Sequence, residues 1–151
     1  MLAALQVLDR SPVVADRRAR ARLLAMHELS VSGRWLDLLP IAERAWHGPP
    51  SGLPRDAVRL AAVLGTSLLM SGRVDEANTL LATEAARLER SGRAAEAPSL
   101  LVAAAAAALN AGHLSRSRHL CALALPATAS GTRHFARCLE VATGFRSDRD
   151  R

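Results

Sequence analysis

The chain has 151 residues, half of them hydrophobic, and its 20 basic residues, all arginine, give it a formal net charge of +6. This composition excludes an intrinsically disordered chain, and the length suits one domain with a sizeable core. Two cysteines exclude a disulfide framework, and the ten-residue apolar run 100–109 is too short to span a bilayer. Alanine and leucine dominate while strand-forming residues are scarce, which predicts an all-α fold.

The amino-acid composition also indicates the kind of organism and the cellular compartment of the protein. Basic residues that are all arginine, together with a single isoleucine, are typical of a GC-rich bacterial genome. The positive charge is therefore a weak sign of nucleic-acid binding, and the densest arginine cluster, in residues 10–22, is interpreted as a solvated face. Residues 1–10 lack the basic start and long apolar region of a signal peptide. We expect a cytoplasmic protein that does not bind nucleic acid directly or associate with a membrane.

The first predicted element is a short helix in residues 1–10, with Leu2, Leu5 and Leu8 along one stripe. Ten residues are marginal as an isolated helix, so this segment must be held by packing. No other part of the chain is predicted to cover its outer side. We therefore expect the protein to self-associate through this N-terminal edge. The alternative is that this helix belongs to a longer repeat array.

Three helical hairpins follow, with approximate bounds 17–46, 55–90 and 95–125. Each hairpin folds at a glycine, and these glycines, Gly33, Gly72 and Gly112, lie 39 and 40 residues apart. Glycine supplies the positive φ that ends one helix and lets the next fold back. Gly92 stands between the second and third hairpins, outside this spacing. We therefore expect Gly92→Val to destabilise the protein less than Gly72→Val.

Two segments stand out within the hairpins. Pro40 falls inside the second helix of the first hairpin, where we expect it to kink the helix or to remove the hydrogen bond to the Leu36 carbonyl. Six consecutive alanines, residues 103–108, lie in the first helix of the third hairpin. Alanine lets neighbouring helices approach closely at no cost in side-chain entropy. The alanine segment is therefore predicted to be a packing helix inside a stack.

The C-terminal residues are predicted to close the stack. Residues 131–145 place Phe135, Leu139 and Phe145 on one helix face and charged residues elsewhere, as expected for a helix that caps a repeat array. Residues 147–151 form a charged, solvated tail. Residues 1–146 are accordingly assigned to one helical-repeat domain.

The residues around the second hairpin turn resemble a tetratricopeptide-type repeat. The positions that match its small residue, turn glycine, bulky residue and alanine are Gly65, Gly72, Val74 and Ala77. The positions that depart from its preference for alanine are Leu38, Glu84 and Ser117. The spacing also exceeds the family's usual period of about 34 residues, so the chain resembles a divergent member. The resemblance implies a right-handed α-α superhelix of about three hairpins with a C-terminal capping helix.

The alanine-, leucine- and arginine-rich sequence with "SGR…DEA" turns is also similar to the helical-repeat region of large ATP-binding, LuxR-type bacterial transcription regulators. This similarity implies a non-enzymatic sensor or protein-interaction scaffold. The sequence contains neither a P-loop nor a terminal DNA-reading motif. The alternative is a stand-alone helical protein that binds a small ligand or catalyses a reaction.

The tetratricopeptide resemblance further implies that the first helix of each hairpin lines a concave groove. The corresponding positions are Arg20, Leu23, His27 and Ser30 in the first unit, Arg59, Ala62, Thr66, Leu69 and Met70 in the second, and Ser99, Val102, Ala106, Leu109 and Asn110 in the third. This mixed, mostly apolar surface fits an amphipathic helix or an apolar peptide of a partner protein. The alternative is that these positions are buried against neighbouring repeats.

Motifs for catalysis and metal binding are weak. His27 and Glu28 begin like a zinc-protease motif, but the second histidine is missing. The best candidates for zinc ligands are His119, Cys121, His134 and Cys138. Positions 119 and 121 point about 200° apart around a helix, so their side chains do not face one ion. We interpret the cysteines as buried thiols and the histidines as surface residues, and expect no metal, cofactor or enzymatic activity.

The two tryptophans are also interpreted as structural. Trp35 occupies the bulky position after the first turn glycine and is predicted to lie in the hairpin core. Trp46 precedes the proline-rich joint, where it could serve as a core residue or as a recognition aromatic, and we favour the core.

Overall fold

A computed structural model describes residues 24–26, 28–30, 32–47 and 54–127. Every regular element in these residues is helical and none is a strand, which confirms the all-α class. Residues 24–26 and 28–30 are helical, and they are followed by α1 (Trp35–His47), α2 (Pro54–Met70), α3 (Val74–Arg90), α4 (Pro98–Asn110) and α5 (Leu114–Ala124). Short 3₁₀ helices, Ala94–Glu96 and Leu125–Ala127, follow α3 and α5.

The turns before α1 and after α2, α3 and α4 share one backbone geometry. In each, a glycine has a positive φ between 69° and 83°. After α2, the Gly72 N–H donates to the Leu69 carbonyl at 3.1 Å and the Arg73 N–H donates to the Leu68 carbonyl at 2.9 Å. These two bonds form a Schellman motif, which satisfies the last carbonyls of the helix. The turn at Gly92 repeats the same pair of bonds.

Gly92 therefore belongs to the series of turn glycines, which differs from the expectation that it lies outside their spacing. Gly72, Gly92 and Gly112 are 20 residues apart, and in the sequence Gly33, Gly52 and Gly131 extend the series at intervals of 19 or 20. Gly52 and Gly131 lie outside the described residues. The repeating unit of the sequence is one helix with its turn, half as long as the predicted 39–40-residue interval.

An ion pair follows three of these four turns. The arginine after the turn glycine pairs with a carboxylate three residues later, at N–O distances of 2.6 to 2.8 Å: Arg34 with Asp37, Arg73 with Glu76, and Arg93 with Glu96. Arg73 also reaches Glu43 of α1 at 2.5 Å. Exposed pairs of this kind contribute little to stability. They nevertheless show that the sequence pattern Ser-Gly-Arg-x-x-acid forms the same ion pair at three places, before α1, before α3 and at the 3₁₀ helix Ala94–Glu96.

The described helices pack on one another in chain order. Each of α1 to α4 contacts the helix that follows it, and α2 also packs directly on α4. The first helices of the second and third hairpins are therefore neighbours, while α3 contacts both of them.

Buried side chains form two adjoining clusters. The first contains Met26 and Leu29 together with residues of α1, α2 and α3. The second contains residues of α2, α3, α4 and α5. Trp46 is half-buried and packs against both clusters, and Trp35 packs against the first. Both tryptophans therefore contact the core, as the sequence predicts.

α2 and α3 approach each other closely at Gly65. A Cβ atom on Gly65 would overlap the side chain of Leu81, which is fully buried. Interiors are packed too densely to absorb such an overlap without movement of the helices. The small residue that marks the family resemblance at this position is thus required by the packing of its own hairpin.

α4 is the most buried of the helices that are described in full. Eight of its 13 residues are buried, including five of the six consecutive alanines. This confirms that the alanine segment is a packing helix. α5 is tied to it by Ser117, whose fully buried hydroxyl donates to the Ala105 carbonyl at 2.8 Å.

Prolines account for two features of the helix bounds. Pro40 lies on the exposed side of α1, and the helix continues to His47. The Leu36 carbonyl lacks its usual donor because proline has no N–H. α4 begins at Pro98 rather than at residue 95, because proline suits the first helical position and the 3₁₀ helix occupies the preceding residues.

Several predictions fall outside the described residues. They are the N-terminal stripe of Leu2, Leu5 and Leu8, the arginine cluster in 10–22, the capping helix at 131–145 and the tail at 147–151. Among the helices that the structure describes, none has the length and apolar character needed to cross a membrane.

Candidate functional site

The predicted groove positions differ in their exposure. The exposed positions are Arg59, Met70, Ser99 and Asn110. The half-buried ones are Ser30, Thr66, Leu69, Ala106 and Leu109, and the buried ones are Ala62 and Val102. Arg20, Leu23 and His27 lie outside the described residues. The Thr66 hydroxyl donates to the Ala62 carbonyl at 2.8 Å, so it is engaged within its own helix.

Two of the exposed groove residues come together in a pocket, and two do not. Arg59 and Ser99 both line a pocket between the N-terminal halves of α2 and α4. The end of α3 and the 3₁₀ helix before α4 complete its wall, and its volume is about 440 Å³. Met70 and Asn110 are the last residues of α2 and α4 and do not line this pocket.

The floor of the pocket is apolar. The side chains that form it, each less than a tenth exposed, are Val58, Ala62, Leu88, Ala97 and Leu100. All five belong to the second core cluster. Three helices and the residue before α4 therefore determine the shape of the floor, through the same packing that forms the core.

An ion pair occupies one part of the rim. Arg93 donates from Nε and Nη2 to the Oε2 atom of Glu96 at 3.1 and 2.8 Å. These hydrogen bonds raise the pKa of Arg93 above its ordinary value. The opposite charges of Arg93 and Glu96 offset each other.

The rest of the rim offers hydrogen-bond donors and one further positive charge. Arg59 is exposed and forms no ion pair with a described residue. Ser99 is the second residue of α4, and within the described part of the chain neither its hydroxyl nor its backbone N–H has an acceptor. The N-cap residue Ala97 supplies no side-chain acceptor to this turn. Among the described residues, the rim therefore has an excess of one positive charge.

Sequence reasoning identified part of this site. It selected Arg59, Ala62 and Ser99, and it missed Leu88, Arg93 and Glu96. The available signal for the missed pair was the third Ser-Gly-Arg-x-x-acid pattern, in residues 91–96, which repeats those at 32–37 and 71–76. The two earlier patterns show that an arginine and a carboxylate in this spacing pair with each other.

A second group of charged side chains joins α3 to α5. Glu89 accepts hydrogen bonds from Nη2 and Nη1 of Arg116 at 2.5 and 3.2 Å, and its Oε2 lies 3.1 Å from Nε2 of His119. Burial raises the pKa of the Glu89 carboxyl, but the hydrogen bonds from Arg116 and His119 outweigh it and hold the net pKa below its ordinary value. This group is a link between helices and does not border the pocket.

Two of the candidate zinc ligands, His119 and Cys121, differ in solvent exposure. The His119 side chain is 51% exposed and engaged with Glu89, whereas Cys121 is fully buried. Within the described ranges no three His, Cys, Asp or Glu side chains are placed to hold a metal ion. His134 and Cys138, the other two candidates, lie outside those ranges.

Comparisons with protein-family models, with curated proteins and with solved structures find no match to this chain.

Proposed function

We propose that the protein is a non-enzymatic interaction module built as a right-handed superhelix of helical hairpins, similar to a tetratricopeptide array. In arrays of this kind each repeat contacts only its neighbours, and the stacked repeats present an extended surface for binding. We further propose that the module acts in the cytoplasm as a sensor or scaffold of a bacterial transcription regulator, on the basis of the family resemblance.

The observation that best supports the proposal is the direct packing of α2 on α4, with α3 against both. Successive hairpins that meet through their first helices leave exposed residues near both ends of those helices, Arg59 and Met70 on α2 and Ser99 and Asn110 on α4. The repeated Schellman turns at Gly72, Gly92 and Gly112 set the same fold-back at each step. A regular succession of helices follows from that repetition.

The proposed partner is a protein that presents an amphipathic helix or an apolar peptide. Met70 and Asn110 end α2 and α4 with exposed side chains, and Met70 is 59% exposed. Methionine is flexible and polarizable, and it adapts to varied apolar partners. Leu69 and Leu109, the residues before them, are half-buried and add apolar surface beside these ends.

Site-specific photo-crosslinking tests this proposal. A benzophenone amino acid is introduced in turn at Met70, at Asn110 and at Ala82, an exposed residue of α3 that serves as the control. Irradiation in native lysate should give one common adduct from positions 70 and 110 and none from position 82. Equal adducts from all three positions, or none from 70 and 110, would contradict the proposed binding surface.

A further inference from the structure

The pocket between α2 and α4 has the size of a small-molecule site. Its volume of about 440 Å³ lies within the range of roughly 300–1,000 Å³ that is typical of ligand pockets. An α-helix with side chains is roughly 10 Å wide, so it does not fit inside such a space. The occupant that suits the pocket is therefore a small molecule, which distinguishes it from the partner surface at the far ends of the same helices.

The floor of the pocket favours a hydrocarbon group. Its five side chains contribute only carbon atoms, and water in contact with them gains no side-chain hydrogen bonds. Displacing that water with an apolar group is favourable in proportion to the area covered. Because the floor is part of the packed core, it is formed before any ligand arrives and requires little ordering on binding.

The rim favours one negative charge. Arg93 and Glu96 offset each other, which leaves the Arg59 guanidinium as the excess charge. The hydroxyl and N–H of Ser99 add donors on the opposite helix. A monoanion would neutralise this rim, whereas a phosphate dianion would leave an uncompensated negative charge beside Glu96.

We propose that this pocket binds a small organic monoanion with an apolar tail, of the size and chemistry of a medium-chain carboxylate. The anionic group lies between Arg59 and Ser99, and the tail lies on the floor formed by α2, α3 and α4. The site does not depend on the proposed protein-interaction role, because it uses different residues of the two helices.

Dye binding to the full chain tests the proposal. The probes are 1-anilinonaphthalene-8-sulfonate, an apolar monoanion, and N-phenyl-1-naphthylamine, a neutral molecule of similar shape. Wild-type protein should bind the anionic dye at one saturable site, and octanoate should displace it. Arg59→Gln should weaken binding of the anionic dye about tenfold, the effect of losing one charge-assisted hydrogen bond, and leave the neutral dye unchanged.

Two further variants control for indirect effects. Arg118→Gln removes an exposed arginine on α5 that does not line the pocket, and it should leave both affinities unchanged. Ala62→Leu fills the pocket from its floor and should weaken both dyes, with thermal unfolding as the check that the variant folds. The proposal is overturned if octanoate fails to displace the dye, if binding is unsaturable, or if Arg59→Gln and Arg118→Gln behave alike.

Discussion

Leu81 occupies the space that a side chain at residue 65 would fill, so the contact between α2 and α3 depends on glycine at that position. Alanine is preferred over glycine in a helix by about 1 kcal/mol, yet we expect Gly65→Ala to destabilise the protein by about 1–3 kcal/mol because it overpacks the core. Urea unfolding measures this change. In a Leu81→Ala background the same substitution should cost far less. Additive costs in the double variant would show that the two residues are not in contact.

Ser117 makes a second residue-scale contribution. Its buried hydroxyl joins α5 to the Ala105 carbonyl of α4. Ser117→Ala should lower the free energy of unfolding by about 1 kcal/mol, the net contribution of one intramolecular hydrogen bond. Ser115→Ala on the exposed face of the same helix is the control and should change stability by less than about 0.5 kcal/mol. Equal effects of the two substitutions in urea unfolding would argue against the interhelix bond.

The sequence does not predict the hydrogen bond that Ser117 makes to α4. The family resemblance marked the residue as a departure from alanine. Its acceptor, Ala105, is a backbone carbonyl twelve residues away, and no sequence pattern identifies which carbonyl a buried hydroxyl faces. Trp46 shows the same limit, because its contacts with both core clusters depend on how α1 lies across α2.

At the scale of the elements, the turns at Gly72 and Gly92 are equivalent. Both glycines have a positive φ, and a Cβ on either would meet no neighbouring atom. Valine at either position should therefore cost a similar amount, about 1–2 kcal/mol or more, through backbone strain alone. Thermal or urea unfolding of Gly72→Val and Gly92→Val gives the comparison, with asparagine variants as milder controls. A clearly smaller cost at Gly92 would restore the 40-residue repeat.

The link between α3 and α5 should make stability depend on pH. The net pKa of Glu89 is lowered in the folded protein, so its ionised form contributes stability at neutral pH. This contribution is lost as the pH falls through the folded pKa, over a window from about pH 5 downwards. Urea midpoints of the wild type should therefore decline more steeply in acid than those of Glu89→Gln.

A double variant controls for this effect. In an Arg116→Gln background, Glu89→Gln should change the acid dependence much less, because the strongest partner of the carboxylate is already absent. Parallel pH profiles for wild type and Glu89→Gln would mean that the link contributes nothing to stability.

The sequence predicts the helices and turns from local signals, and the structure agrees with most of these predictions. The regular spacing of Gly33, Gly72 and Gly112 predicts the turns, and each of these glycines has a positive φ. α4 begins three residues later than the sequence predicts, because the 3₁₀ helix at Ala94–Glu96 has the composition of a helix. Links such as Glu89 with Arg116, which are 27 residues apart, could not be predicted because they depend on helix crossing.

At the scale of the whole molecule, stacking creates a site that no single segment contains. The pocket takes residues from α2, the end of α3 and the start of α4, up to 42 positions apart in the chain. The tetratricopeptide resemblance implies that Arg59 and Ser99 lie on one surface, but the sequence does not show a pocket between them. The packing of α2 on α4, which brings these residues together, decides whether that pocket exists.

Intramolecular crosslinking measures this stacking most directly. In a Cys138→Ser background, with Cys121 buried, Arg59→Cys and Ser99→Cys are joined by a short bis-maleimide in the native protein. The control pair is Arg59→Cys with Ala82→Cys, since Ala82 is exposed on α3 and does not line the pocket. If α2 packs directly on α4, the crosslink between positions 59 and 99 should form rapidly within one chain, and the crosslink between positions 59 and 82 should form only to a small extent. Equal closure of both pairs, or closure of 59–99 only after unfolding, would contradict the direct packing of α2 on α4.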